Sequence, residues 1–420
     1  MKLLFFSPVA HNSAIANVTS KIVLGLNENP DHNIFLVDTG LLKEAQAEFG
    51  NIEILDKNSH QIEKLILSGF VPVYQVGNHY GNHVGIFKWI FEHSGIVIFH
   101  DRYLGDLYKT YTIDSGSKHL DNTYVKGSKA NNYELRKIDL HRKELVDSYS
   151  LLEFLAPYAS CAITHDILSQ EKISTFSTSR VLFTKLFFTE TIEPFHLEVG
   201  PTNYDNLLFV TFGDINSNKL PEIGIDSISK LPEDLRQSIT YMLIGKISDS
   251  YKEVLHDLAS SKYVNLITPG FVSDTELDFY LKKCDLVINL RYPLTESSSA
   301  SLIKSLAYGK NTIVLNYDHY ASNPDSVVIK LDGIDVSEEL KQKILYLIKN
   351  RKLSRYNPEI AKYAYDGFKL ESYLETLHEA YDFHFQYLAA GKAVKQLISE
   401  SENLIKVFLQ NGIGVLDFNL

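Results

Sequence analysis

Short apolar runs alternate with amphipathic stretches twice along this chain, once on each side of a segment with two prolines at 193–206. No other feature restricts the fold as strongly. A strand that is apolar on both sides must be covered on both sides, and an intervening helix returns the next strand parallel to the last. In the first series Leu3–Ser7, Ile34–Asp38, Val71–Gln75, Ile96–Phe99 and Cys161–Thr164 read as strands. Ala14–Leu26, Leu41–Phe49, Val84–His93 and Glu144–Leu155 read as helices between them. In the second, Leu207–Phe212, Tyr241–Ile244, Val264–Ile267, Leu286–Leu290, Thr312–Leu315 and Val327–Ile329 read as strands, with helices at Ser250–Ala259 and Asp274–Lys283. Ser273-Asp-Thr-Glu276 has the pattern of a capping box. Residues 111–136, rich in Ser, Gly, Lys, Asn and Tyr, read as a long loop or insertion, either selecting a substrate or serving no site. Residues 367–410 read as two amphipathic helices.

The stretch 285–316 carries the most chemistry. Asp285-Leu-Val-Ile-Asn-Leu290 is a buried-strand pattern, and Thr295-Glu296-Ser297-Ser298-Ser299 is a turn with one carboxylate and several hydroxyls. A helix with Leu302, Ile303, Leu306 and Ala307 on one face follows and ends at Gly309. Free N–H groups at such a helix start hold anions, so Ser297, Ser298 and Ser299 are candidate phosphate contacts as well as candidate N-caps. Glu296 does not suit a site that holds phosphate alone. It suits neutral hydroxyls, as on a sugar; it could also merely complement the helix dipole.

A net charge of -11 argues against a general nucleic-acid binder, so an anionic ligand must be met by a few local cations. Two cysteines, Cys161 and Cys284, both in apolar stretches, give neither a disulfide framework nor a zinc site. The start breaks at Pro8, too early for a signal-peptide core, and no run reaches the length of a membrane helix. The chain reads as cytoplasmic, with peripheral contact at the inner face of a membrane left open. Gly-x-Gly-x-x-Gly after a strand, Walker A, Gly-x-Ser-x-Gly and Asp-x-Asp are all missing. Nicotinamide chemistry and metal-held diphosphate are therefore disfavoured.

Four segments, in order, resemble glycosyltransferase family 4, the retaining group with the GT-B fold. They are Tyr74-Gln-Val-Gly-Asn78 with His83 and Ser94–Asp101; Phe209–Lys219; Thr268–Leu277; and Leu290–Lys310. The resemblance implies an α/β, GT-B architecture of two Rossmann-like doubly wound domains facing a central cleft. Residues 1–195 would be the acceptor-side domain, 196–365 the donor domain, and 366–420 C-terminal helices packing back towards the first. It implies a nucleotide sugar (UDP-, GDP- or another) as co-substrate, with no separate cofactor and no metal. A sugar, lipid-linked or protein hydroxyl would be the acceptor. A homodimer is left open.

By the same resemblance Lys219 would neutralise the departing diphosphate, in a loop with Gly213, Asp214 and Asn218, and His100 would reach the donor sugar. Together with Glu296 these form the expected catalytic set. Asp101 would orient the His100 ring or cap the next helix, and Arg291 would be a second phosphate cation or the partner of an acid across the cleft. Asn12, Ser13, Asn78, His83 and Thr295 would line the substrates, or, for Asn78 and His83, shape their loop. Three positions depart from the family pattern. Asp214 stands where a cation is common. Ala14 replaces a glycine. Lys304 replaces a ribose-holding glutamate, and would add charge near the phosphates or point to solvent. These departures give weight to a rival reading, a non-catalytic GT-B scaffold or partner subunit. An epimerase or a phosphorylase of similar architecture is a third.

Overall fold

A computed structural model of the chain describes residues 1–11, 13–41, 47–107, 150–177, 179–188, 202–333 and 335–410, the last fourteen as helix backbone. The insertion read at 111–136 lies outside these residues. So do Asn12, most of the segment 193–206 and the middle of the helix read at Leu41–Phe49.

The strands, in chain order, are β1 (Lys2–Ser7), β2 (Asn33–Asp38), β3 (Glu53–Asp56), β4 (Val71–Val76), β5 (Gly95–Phe99), β6 (Ala159–Thr164), β7 (Arg180–Phe183), β8 (Leu207–Phe212), β9 (Ile239–Ile244), β10 (Asn265–Gly270), β11 (Leu286–Ile288), β12 (Thr312–Leu315) and β13 (Ile329–Leu331). They form two sheets, of order β3-β2-β1-β4-β5-β6-β7 and β10-β9-β8-β11-β12-β13. Every pairing is parallel. The strand order reverses between β1 and β4 in one sheet and between β8 and β11 in the other. Ligands bind sheets of this kind beyond the carboxyl ends of the strands at such a reversal.

The period of two along each strand sorts side chains into two cores per sheet. Phe6, Tyr74, Val97 and Ala162 pack on one side of the first sheet. Phe5, Val73, Ile96 and Cys161 pack on the other, beneath the helix Ala14–Asn27. In the second sheet Phe209, Tyr241 and Ile288 face one side. Val210, Met242 and Val287 face the other, beneath the helix Ala300–Ala307. Both cysteines are buried thiols.

Several expected elements differ. The short edge strands β3 and β7 are new; each is half-exposed and only four residues long, too short to stand out. Val84–His93 is no single helix but a 3-10 turn followed by a four-residue helix. The described part of Glu144–Leu155 is a 3-10 turn at Leu152–Phe154. The two helices read at 367–410 are one, Leu370–Gln410. No proline interrupts that stretch, and at 1.5 Å per residue it is about 60 Å long. Tyr373, Leu377 and Ala380, spaced as one helix face, are fully buried against the first sheet. The capping box at Ser273 and Glu276 is present with both of its bonds.

Candidate active site

β8 and β11, adjacent at the reversal of the second sheet, each end in a turn, and a backbone bond joins the turns: Tyr292 N–H donates to the Asn218 carbonyl at 2.7 Å. Lys219 closes the first turn, a 3-10 turn at Ser217–Lys219, and is 2% exposed. Gly213 opens it with φ +101, and Gly245 at the end of β9 lies so close that a Cβ there would meet the Gly213 carbonyl. Only glycine fits position 245, which fixes where the loop leaves the sheet. Asp214 is exposed at the loop's edge and accepts from Asn216 at 3.1 Å.

The second turn holds Arg291 and Glu296, whose Nε and Oε1 face each other at 3.0 Å. Arg291 thus meets an acid of its own turn rather than one across the cleft. Burial lowers the Lys219 amine to about 7, Arg291 pushes the same way, and Glu296 and Asp214 oppose. Lys219, Arg291 and Glu296 therefore share one charged crevice.

The first sheet supplies the opposite wall. β5 ends in His100 and Asp101, and Asp101 forms an isolated antiparallel bridge with Glu296. Arg102 N–H donates to the Thr295 carbonyl at 2.9 Å, and Ser297 donates to the His100 carbonyl through its N–H (3.1 Å) and its hydroxyl (2.7 Å). Arg102 also pairs with Asp318, which follows β12. The two domains thus touch where Glu296 sits.

Several expected roles change. Ser297 spends both donors on the first domain, so it offers neither to a phosphate. Ser299 is the helix N-cap, accepting from Leu302 N–H at 3.3 Å, and Ser298 lies half-buried between them. Asp101 neither orients His100 nor caps a helix; its carboxylate accepts from Asn78 N–H at 2.7 Å. Burial raises that carboxyl to about 7, Glu296 and Asp106 add to the rise, and the Asn78 N–H and Arg291 oppose it. The His100 ring is held instead by Gln75, whose amide oxygen lies 2.5 Å from Nε2. Burial, helped by His165 and His83, keeps that ring neutral.

Asn78 shapes its loop: its side chain bonds Asp106 and receives the N–H groups of Asp106 and Leu107. His83 is 1% exposed and held neutral, its pKa pushed down to about 3 by burial, so it is a packed group behind Gly77. Ser13 caps the helix Ala14–Asn27 through Ala16 N–H. Lys304 does not point to solvent. It pairs with Asp278 at 3.1 Å and is 12% exposed. Two residues the sequence did not single out adjoin the site, Gln75 on β4 of the first sheet and His319 after β12 of the second. A lone glutamine near the end of the otherwise apolar run Val71–Val76 was the available signal for the first.

Comparison with known proteins supports the fold. Residues 194–365 match the model of the glycosyl transferases group 1 family. That span holds the second sheet with both turns of the crevice. No curated protein matches the chain. Among solved structures, a glycosyltransferase from Rickettsia africae is similar at TM-score 0.61 and 13% identity, over 91% of this chain and 99% of that one. Sucrose-phosphate synthase from Thermosynechococcus elongatus is similar at TM-score 0.60 and 10% identity, over 93% and 100%. HepE from Anabaena, in complex with UDP and glucose, is similar at TM-score 0.56 and 14% identity, over 91% and 99%. The fold is GT-B: two Rossmann-like domains, each built on a parallel sheet. Among the described residues no helix is long and apolar enough to cross a membrane.

Proposed function

We propose that this protein is a retaining hexosyltransferase. It moves a sugar from a nucleotide donor to a hydroxyl of a glycan, glycolipid or glycoprotein, without a metal. The observation that carries this reading is the buried Lys219 amine beside Arg291 and Glu296 at the β8–β11 reversal. Transfer builds negative charge on the leaving diphosphate and positive charge on the sugar ring. Fixed cations in a water-poor crevice stabilise the first. Lys219 and Arg291 supply them. Glu296 accepts hydrogen bonds from the sugar hydroxyls, and neutral His100, oriented by Gln75, approaches from the first domain. The departing phosphate takes the acceptor's proton. HepE, which binds UDP and UDP-glucose, makes UDP-sugars the first donors to try.

Thermal unfolding with UDP, GDP and ADP, followed by a panel of nucleotide-sugar hydrolysis assays, tests the reading. One nucleotide raises Tm and its sugar conjugate is slowly hydrolysed. No shift with any nucleotide and no hydrolysis would leave a binding scaffold in its place.

Binding is also expected to depend on pH. In the free protein the amine is half charged near pH 7; a bound diphosphate needs it fully charged. Its pKa therefore rises on binding. Affinity is full below pH 7 and falls by up to about tenfold per unit above it, until the pKa of the complex is reached. Lys219→Arg, charged throughout, flattens that slope. Isothermal titration between pH 7 and 9 reads both; equal affinity across that range in the parent protein argues against this role for Lys219.

A further inference from the structure

His319 lies in the turn after β12, between Asp318, which pairs with Arg102 of the first domain, and the fully buried Tyr320. Its ring centroid is 4.4 Å from that of Tyr320. The Tyr320 hydroxyl reaches Asn289, just past β11, at 3.5 Å. The imidazole stands close enough to Arg291, which pairs with Glu296, and to Arg102 for both cations to act on it.

Both ring nitrogens of His319 are out of solvent and neither has a hydrogen-bond partner; among the described residues no other side chain has two such atoms. An unsatisfied buried polar atom is unfavourable by about 1–3 kcal/mol, so a native protein keeps one where something else fills it. Arg291, paired with Glu296 at 3.0 Å, is near enough to act on the charge of this ring.

We propose that His319 is a donor-specificity residue that hydrogen-bonds hydroxyl groups of the transferred sugar. This deepens the glycosyltransferase reading and rests on it. The chemistry of the pair selects the ligand. Burial, together with the Arg102 and Arg291 cations, drives the ring pKa down to about 3, so the imidazole is neutral, with one N–H donor and one bare nitrogen acceptor. A phosphate oxygen can only accept and satisfies one of them. A hydroxyl donates and accepts, so one sugar hydroxyl or two neighbouring ones satisfy both. The cations close by are already matched, Arg102 by Asp318 and Arg291 by Glu296.

Titration calorimetry separates the sugar from the phosphates. The probes are UDP with UDP-glucose and GDP with GDP-mannose, measured on the full chain and on its His319→Phe and His319→Ala variants. For the pair that the parent protein binds, both variants should weaken the nucleotide sugar by tenfold or more and leave the bare nucleoside diphosphate within twofold. Tm of the free variants should match or exceed that of the parent, because an unsatisfied group is removed. Equal loss for nucleotide and nucleotide sugar would overturn the assignment, as would no loss in either variant. Loss in His319→Phe alone means steric blockage and overturns it too. If the parent protein binds neither pair, the glycosyltransferase reading itself fails, and this inference with it.

Discussion

Lys219→Ala and Lys219→Met are expected to lower turnover of the donor by two to three orders of magnitude, about 3–4 kcal/mol of transition-state stabilisation. The free protein should be no less stable for either change. The amine is 2% exposed and burial lowers its pKa, so its solvation is already forfeited without a ligand. An apolar side chain in its place removes that burden and leaves Arg291 and Glu296 paired. The expected signature is therefore unequal: catalysis collapses while Tm holds or rises. Steady-state hydrolysis of the nucleotide sugar and thermal unfolding without ligand read the two halves. Full turnover in Lys219→Ala would remove the central cation from the mechanism. A large fall in Tm would mark Lys219 as structural.

The second large effect belongs to another buried lysine. Lys310→Met should destabilise the protein by about 3 kcal/mol or more, without reference to any ligand. Lys310 is 0% exposed, and its ammonium donates to the carbonyls of Lys282 and Cys284, each at 3.1 Å, and of Arg355. The first two end the helix Asp274–Lys283, where carbonyls have no partner within the helix and the dipole is negative. The third belongs to the segment that brings Arg355 onto Asp285, itself fully buried, at 2.9 Å. Met keeps the length but no donor, so three carbonyls lose a charged partner at once. A fall in Tm of roughly 6–12 °C is the corresponding shift for a domain of this size. An unchanged Tm would show that water replaces the ammonium there, against the burial just described.

These two lysines show what was legible beforehand. Lys219 stood out because it follows an apolar strand at a fixed place in a motif, so its neighbourhood could be inferred from the strand. Lys310 had the same kind of address, one residue past Gly309, yet its three carbonyls come from positions 282, 284 and 355, and no local pattern announces them. The same holds within the crevice. Glu296 was readable as a carboxylate out of place in a phosphate turn. That Ser297 would turn its donors on His100, nearly two hundred residues earlier, was not. His319 carries no motif at all. It is visible only as a ring with two vacant nitrogens in the folded protein.

The sequence by itself determined the two parallel sheets, because strands apolar on both sides and the helices between them leave a chain few other ways to bury its surface. It also placed Lys219 and Glu296 beyond strand ends, since both addresses depend only on where a short apolar run stops. The tertiary structure alone decided which partners each charge meets: Arg291 with Glu296, Lys304 with Asp278, His100 with Gln75. Periodicity along a chain sets which face a side chain takes. The identity of its neighbour depends on the register and approach of elements far apart in sequence, which hydrophobic patterning does not encode.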